Sequence, residues 1–449
     1  MNFFRFAVPR SHCARPAFCP GKTTWWSLSC LAAGVPGVMA QDVLLTPAVA
    51  PLQPSAVQQY QTNRLAQMQV FVPEETAPPA PLETPIQWGS LAVRPHLLYQ
   101  FLYGNGIQSS PGQHQNTIVQ ELSPGVLFDL GACWTLDYTP ALTFYSSSNF
   151  RDTVDESVRL SWGTTYNDWF FAGSQSYASS SDPEVDTAAQ TDREYYVTVL
   201  KGTCQFNQKM SLDLEASQNL NYVGNAGATN YLLSLASSRV WSTMNWLNYQ
   251  FRPRLSAGLG LGLGYNQTDH SPASIDEQYQ GRLDWRATDK VSIELSGGLE
   301  DMQYLSGGAG SLATPICGAA IQYQPFNETQ ISLNAGRTVS TSPFQDQVTE
   351  VTQVAIELNQ RLLGRLHLDL IGSWSSTEYV VSLAGLSTGR NDDLYSFHAA
   401  LTCPFFKRGT FKVLYQFTEN SSSQTGFAVG KSAFGYSSNQ IGCEIGYRF

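Results

Sequence analysis

Alternation with a period of two residues is the feature that most restricts what this chain can become. In Leu255–Tyr265, the residues Leu255, Ala257, Leu259, Leu261, Leu263 and Tyr265 fall on one face of an extended strand. Ser256, Gly258, Gly260, Gly262 and Gly264 fall on the other. In Lys290–Glu300, Val291, Ile293, Leu295 and Leu299 oppose Lys290, Ser292, Glu294, Ser296 and Glu300. The same division recurs in Leu91–Tyr103, Arg365–Trp374 and Thr410–Thr418. It returns in Gln440–Phe449, where Ile441, Cys443, Ile445, Tyr447 and Phe449 oppose Gln440, Gly442, Glu444, Gly446 and Arg448. Helical spacing would mix the two classes within each segment, so the pattern calls for strands.

Composition decides what the strands build. Only 14% of the 449 residues are charged, against roughly 25% in ordinary globular domains. Mean hydropathy is −0.19, too low for a helical membrane protein. Beyond the amino-terminal leader no stretch of about 18 apolar residues is present, so no transmembrane helix is available. A barrel that alternates lipid-facing with polar side chains keeps its average hydropathy unremarkable. The net charge of −10 argues against a nucleic-acid partner, which would want a basic stripe.

The carboxyl-terminal segment, with Ile445, Tyr447 and Phe449 in step, resembles the closing strand of bacterial outer-membrane β-barrel proteins. That resemblance implies an assembly signal read by the barrel-assembly machinery of a Gram-negative cell, and contact with outer-membrane lipid and lipopolysaccharide. The amino terminus reads as a signal peptide over residues 1–40: Arg5, Arg10, Arg15 and Lys22, then a short apolar core, then Val38-Met39-Ala40 before the expected cut. Residues 41–87 are proline-rich, with a candidate short helix over Ser55–Val70, and read as a largely disordered periplasmic tail that could engage a periplasmic partner. Residues 88–449 are the expected barrel domain. Cys133, Cys204, Cys317, Cys403 and Cys443 are widely spaced without a CxxC, unlike zinc ligands, and read as small apolar strand residues.

Tight turns are expected at Asp129–Ala132, Tyr166–Asp168, Phe206–Lys209, Arg252–Arg254, Ala287–Lys290, Phe326–Glu328, Leu362–Arg365 and Lys407–Gly409. Between them come longer Ser-, Gly-, Asn- and Asp-rich links, among them Gly104–Gln115, Ala178–Asp192, Ser375–Asp392 and Glu419–Gly435. Short turns at one end and long loops at the other fit a closed antiparallel transmembrane β-barrel. The count is about 18 strands, or 16 if the ambiguous Asn230–Phe251 stretch is read differently. Trp134, Tyr138, Phe144, Trp285, Phe405 and Tyr447 are expected in aromatic girdles.

Period two assigns a pore-lining set: Arg94, His96, Asp213, Glu215, Arg282, Asp284, Arg286, Lys290, Glu294, Glu300, His367, Asp369, Lys412, Glu444 and Arg448. The small face from Ser256 to Gly264 is expected to leave space on one wall. No nucleophile–base constellation stands out: His367 and Asp369 are two strand residues apart, about 6.6 Å, beyond a direct hydrogen bond. Nothing places His96, His367 and His398 at one height for a metal, and no phosphate-cradling glycine motif appears. The acids of Ser181–Asp186 and Asn391–Asp393 read as solvated loop residues or divalent bridges to lipopolysaccharide rather than a calcium site. The expectation is therefore a non-enzymatic channel for small hydrophilic solutes, without cofactor and with no oligomeric state assigned. The alternatives are a structural or adhesive surface barrel and, behind it, an outer-membrane enzyme.

Asn248–Gly260, Arg390–Phe397 and Lys407–Ser423 are similar to strand–turn–strand units of the putative β-barrel porin 2 family. This resemblance implies outer-membrane location and a link to polysaccharide export.

Overall fold

The computed structural model describes residues 86–110, 113–131, 133–181, 183–184, 189–224, 236–269, 272–305, 311–341, 347–381, 390–406, 408–423 and 435–448. The expected signal peptide, the 41–87 tail up to residue 85, and Phe449 of the assembly signal lie outside the described residues.

Eighteen strands form the wall. The first six are β1 (Leu91–Ser110), β2 (Gln113–Leu130), β3 (Trp134–Tyr145), β4 (Thr153–Tyr166), β5 (Trp169–Ser180) and β6 (Arg193–Gln205). Next come β7 (Met210–Val223), β8 (Ser238–Arg252), β9 (Leu255–Thr268), β10 (Ser274–Thr288), β11 (Val291–Tyr304) and β12 (Leu312–Phe326). The last six are β13 (Thr329–Thr341), β14 (Gln347–Leu362), β15 (Leu366–Val381), β16 (Asn391–Phe405), β17 (Gly409–Ser422) and β18 (Tyr436–Arg448). Each pairs antiparallel with its successor, and β18 pairs with β1 from His96↔Arg448 to Asn105↔Asn439, so the sheet closes on itself. Of the ambiguous Asn230–Phe251 stretch, the described residues from 236 onward contribute one strand, β8, and the wall counts eighteen rather than sixteen.

Where β18 ends, the edge of β1 is taken by a short strand, Ile86–Trp88, paired with Leu91–Val93. The turns β2–β3, β4–β5 and onward to β16–β17 are two to four residues long. Asn167 and Gly364 supply the left-handed backbone that two of them need (φ 52° and 70°). The links at the other end are longer, apart from the first hairpin.

Several stretches expected as loops are paired strand. β1 runs to Ser110 and β2 starts at Gln113, so Gly104–Gln115 is a hairpin; β15 continues to Val381 and β17 to Ser422. Their Ser-, Asn- and Gly-rich composition records that no lipid faces them, whereas the backbone ladder continues regardless of it. The first hairpin bends at Gly106, where φ is +87° and a Cβ would lie 2.0 Å from the carbonyl oxygen of Ser437. The β2–β3 ladder has one gap, between Leu122↔Leu142 and Val126↔Tyr138, where Pro124 and Pro140 offer no N–H.

The two faces are reversed relative to a soluble protein. On β9, Leu259, Leu261 and Leu263 are 74%, 60% and 60% exposed, while the intervening glycines are buried. On the opposite, concave face Gln100, Glu121 and Glu444 are buried. The convex surface is a greasy band; fully burying one such leucine in an apolar phase stabilises by about 1.5–3 kcal/mol. Leu261→Arg is accordingly expected to cost about 2–4 kcal/mol of folding stability in lipid vesicles, read from urea unfolding, whereas Leu261→Phe should be close to neutral.

Candidate functional site: the charged inner wall

The glycine face of β9 does not leave open space, contrary to expectation. Side chains from both neighbouring strands lie across it. A Cβ on Gly260 would meet the Trp246 ring at 2.8 Å, one on Gly264 the Asp276 carboxylate at 2.2 Å, and one on Gly258 the Asn248 Oδ1 at 2.5 Å. The glycines form a shallow bed rather than a gap.

Arg282 uses that bed. From β10 it passes over Gly258 of β9, donates from Nε (3.0 Å) and Nη2 (2.6 Å) to Asn248 Oδ1 on β8, and reaches Asp213 Oδ2 on β7 at 2.7 Å. Asn248 in turn donates Nδ2 to the same Asp213 oxygen at 2.8 Å and to Ser211 Oγ at 3.2 Å. The guanidinium also lies 4.5 Å from the centroid of the Trp246 ring. One side chain thus ties four consecutive strands, with a fork that only arginine supplies. Beside it, Asp284 and Glu294 face each other directly across β10–β11, and Ser256 Oγ donates to Asp284 at 3.2 Å. Arg282, Asp213, Asp284, Arg286 and Glu294 line one cavity of about 190 Å³ toward the short-turn end.

A second cluster spans β1–β3. His96 Nε2 lies 3.1 Å from Thr139 Oγ1, over Gly125, where a Cβ would sit 2.1 Å from that nitrogen. Thr139 donates its hydroxyl proton to Asp137 at 3.1 Å. The proton therefore points at the carboxylate, and the histidine is left to donate to the hydroxyl, the reverse of a base activating a nucleophile. Along β2, Ser123 Oγ donates to Glu121 at 2.6 Å.

The other expected lining residues are distributed around the same concave face. Arg94 pairs with Asp129 (2.7 Å), Glu215 with Lys201 (3.3 Å) and Lys412 with Glu444 (3.4 Å). Arg448 stands opposite His96 on β1, and Glu300 is buried opposite Gln278 and Thr314. His367 faces Arg361 and Thr402, and Asp369 faces Asn359 and Ala400. His398 faces Ile371 and Gln416, neither of which can be a nucleophile. Lys290 is a correction: it sits in the β10–β11 turn, its Nζ donating to the Pro325 carbonyl at 2.6 Å, because the strand starts one residue later, at Val291. Sequence reading missed Asn248, Trp246, Thr139, Asp137, Asp129 and Lys201. Their parity would have found them once β2, β3, β6 and β8 were delimited.

Among the described residues, no group of three His, Cys, Asp or Glu side chains converges as a metal site, and all five cysteines there are free thiols. Asp392, weighed as a loop acid, instead pairs with buried Arg390, which lies over Tyr379. In the outer loops, Arg151 pairs with Asp192 and exchanges two hydrogen bonds with Gln190. Partial burial alone would push the Asp192 carboxyl up, but hydrogen bonds from Arg151 and Ser181, with the Arg151 charge, leave it below its ordinary value.

Outside, the apolar band ends in aromatic belts. Toward the loops, tyrosine hydroxyls reach polar partners: Tyr279 to Glu277 (2.9 Å), Tyr196 to Glu194 (3.2 Å) and Tyr415 to Asn439 (2.9 Å). Toward the turns, Trp134 packs with Trp162 and Trp169 with Phe171. An apolar convex band between two aromatic belts around a charged concave face defines a transmembrane β-barrel.

No family model matches the chain, and no curated protein matches it either. Among solved structures the chain is similar to OccAB3 of Acinetobacter baumannii, at 10% identity over 80% of this chain and 99% of that one, with a TM-score of 0.46. It is also similar to OccK9 (OpdG) of Pseudomonas aeruginosa, at 10% identity over 80% and 98%, TM-score 0.47. The siderophore receptor PirA from Acinetobacter baumannii is a further match, at 7% identity over 80% of each chain, TM-score 0.41. Likeness at this level carries no argument, and the barrel stands on its own pairing.

Three substitutions probe the bed, one of them a control on the outward face of β10. Gly260→Leu drives a side chain into Trp246 and is expected to destabilise the barrel by about 1–3 kcal/mol. Gly281→Ala, whose Cβ meets nothing closer than 4.0 Å, should be tolerated in the same unfolding assay. Arg282→Lys keeps the charge but loses the fork, and is expected to cost about 1–3 kcal/mol.

Proposed function

We propose that the chain is an outer-membrane channel for small hydrophilic solutes. The observation that carries the reading is the reversal of faces: leucines and aromatics outward, and a concave wall of paired arginines, lysines, carboxylates and amides inward. A barrel of about eighteen strands is wide enough for an aqueous passage, and fixed charges on its wall bias which solutes enter it. The outer-membrane location draws support from barrel closure and from the terminal aromatic pattern of Ile445, Tyr447 and Phe449. A link to polysaccharide export draws only on the resemblance to the porin 2 family. The charged pairs named above are the proposed pore-lining groups.

A surface anchor is the second reading. The reciprocal Arg151–Gln190 bonds and the Arg151–Asp192 pair favour it by building a tied outer surface between the β3–β4 and β5–β6 links. Planar-bilayer recording separates the two. Stepwise current is expected, and Arg282→Ala should change the step or the cation/anion permeability ratio. A folded, inserted barrel that passes no current would leave the anchor standing.

A further inference from the structure

The outer end of β13 and β14 leaves the wall. The β12–β13 ladder runs from Phe326↔Thr329 to Cys317↔Arg337 and stops, although β12 extends to Leu312 and β13 to Thr341. Meanwhile β12 stays paired with β11 as far as Leu312↔Met302, and β13 with β14 as far as Thr341↔Val348. Pro315 lies two residues beyond the last rung and has no N–H to offer β13.

Side-chain parity tells where the freed hairpin goes. Below the break, Ser332 and Asn334 point inward on β13, which assigns Val339, and Val348 on the same face of β14, to the outward side. Yet Val339 and Val348 are buried and packed with Met302 and Ile316, which point inward from β11 and β12. An outward face can touch an inward face only if the hairpin has swung inside the wall. Its other face is covered as well, since Thr349 and Val351 are 0% and 1% exposed. Arg337 and Glu350, also on the outward face, form an ion pair, and Thr314 Oγ1 of β12 donates to Glu350 at 3.3 Å. The break starts beside Gly298 and rises past Leu299 and Asp301 on β11, where the outward face passes from apolar to charged.

We propose that the infolded strand ends, 337–340 of β13 and 348–351 of β14, narrow the outer mouth of the channel, latched to the wall by Arg337–Glu350–Thr314 and by the contact of Val339 and Val348 with Met302 and Ile316. The proposal rests on the channel reading above. In planar bilayers, the double substitution Val339→Asp with Val348→Asp should expel the hairpin and raise the unitary conductance at least about twofold. Unchanged conductance in a barrel whose wild type conducts would overturn it. Should that variant not fold, Arg337→Ala leaves the apolar contact intact and loosens only the latch. It is tested in a chain with its native cysteines replaced by serine and Val348→Cys added, reconstituted in vesicles and treated with a membrane-impermeant maleimide. Arg337→Ala is expected to speed labelling at least about tenfold, and equal rates would sink the latch. A wild type that passes no current would count against the channel reading, while the labelling comparison would still decide the latch.

Discussion

A peptide group in hydrocarbon has no water to bond with, and everything else in this structure follows from that. Each N–H and C=O in the lipid band needs a neighbouring strand, so the sheet can have no free edge at that depth. The β18–β1 ladder supplies the last set of partners. The departures respect the same rule. Pro124 and Pro140 face each other, so neither leaves a donor stranded, and the β12–β13 ladder opens only near the outer limit of the apolar band.

Once the wall is closed, the concave side becomes the place where charge can be stored. Lipid accepts no ion on the convex side at reasonable cost, so the chain's few charged residues concentrate inward and toward the two ends. There they pair across strands, which satisfies them and stiffens the wall together. The bed of β9 shows how far this goes: removing four side chains from one strand lets an arginine on the next strand bond partners two and three strands away. Stiffness and a charged lining have the same origin, so perturbing one is expected to perturb the other.

Most of the architecture was legible in the sequence because lipid imposes a strict rule on every second residue. Leu255–Tyr265 and Gln440–Arg448 declared both their strand and their faces. What could not be read was pairing beyond the membrane. Gly104–Gln115 looks like loop because nothing there has to be greasy, yet it is hairpin. The bed was misread for a different reason: a row of glycines says that its own strand contributes no bulk, but Trp246 and Arg282, which fill it, belong to other strands. The inward placement of Glu215 and Lys412 followed from parity, whereas their partnerships and the Asp137–Thr139–His96 cluster depend on register between strands. That register is a tertiary fact with no local signature.

The short strand Ile86–Trp88 extends the seam at which the barrel closes. It lies against β1 immediately beneath the point where β18 ends, with Ile86 opposite Val93 and Arg448 opposite His96. A barrel zipped up out of step would have to push β18 down into ground this strand already occupies. On β1 only Arg94 and Pro95 separate the two pairings, so the segment entering the cylinder and the segment leaving it share a single edge, end to end.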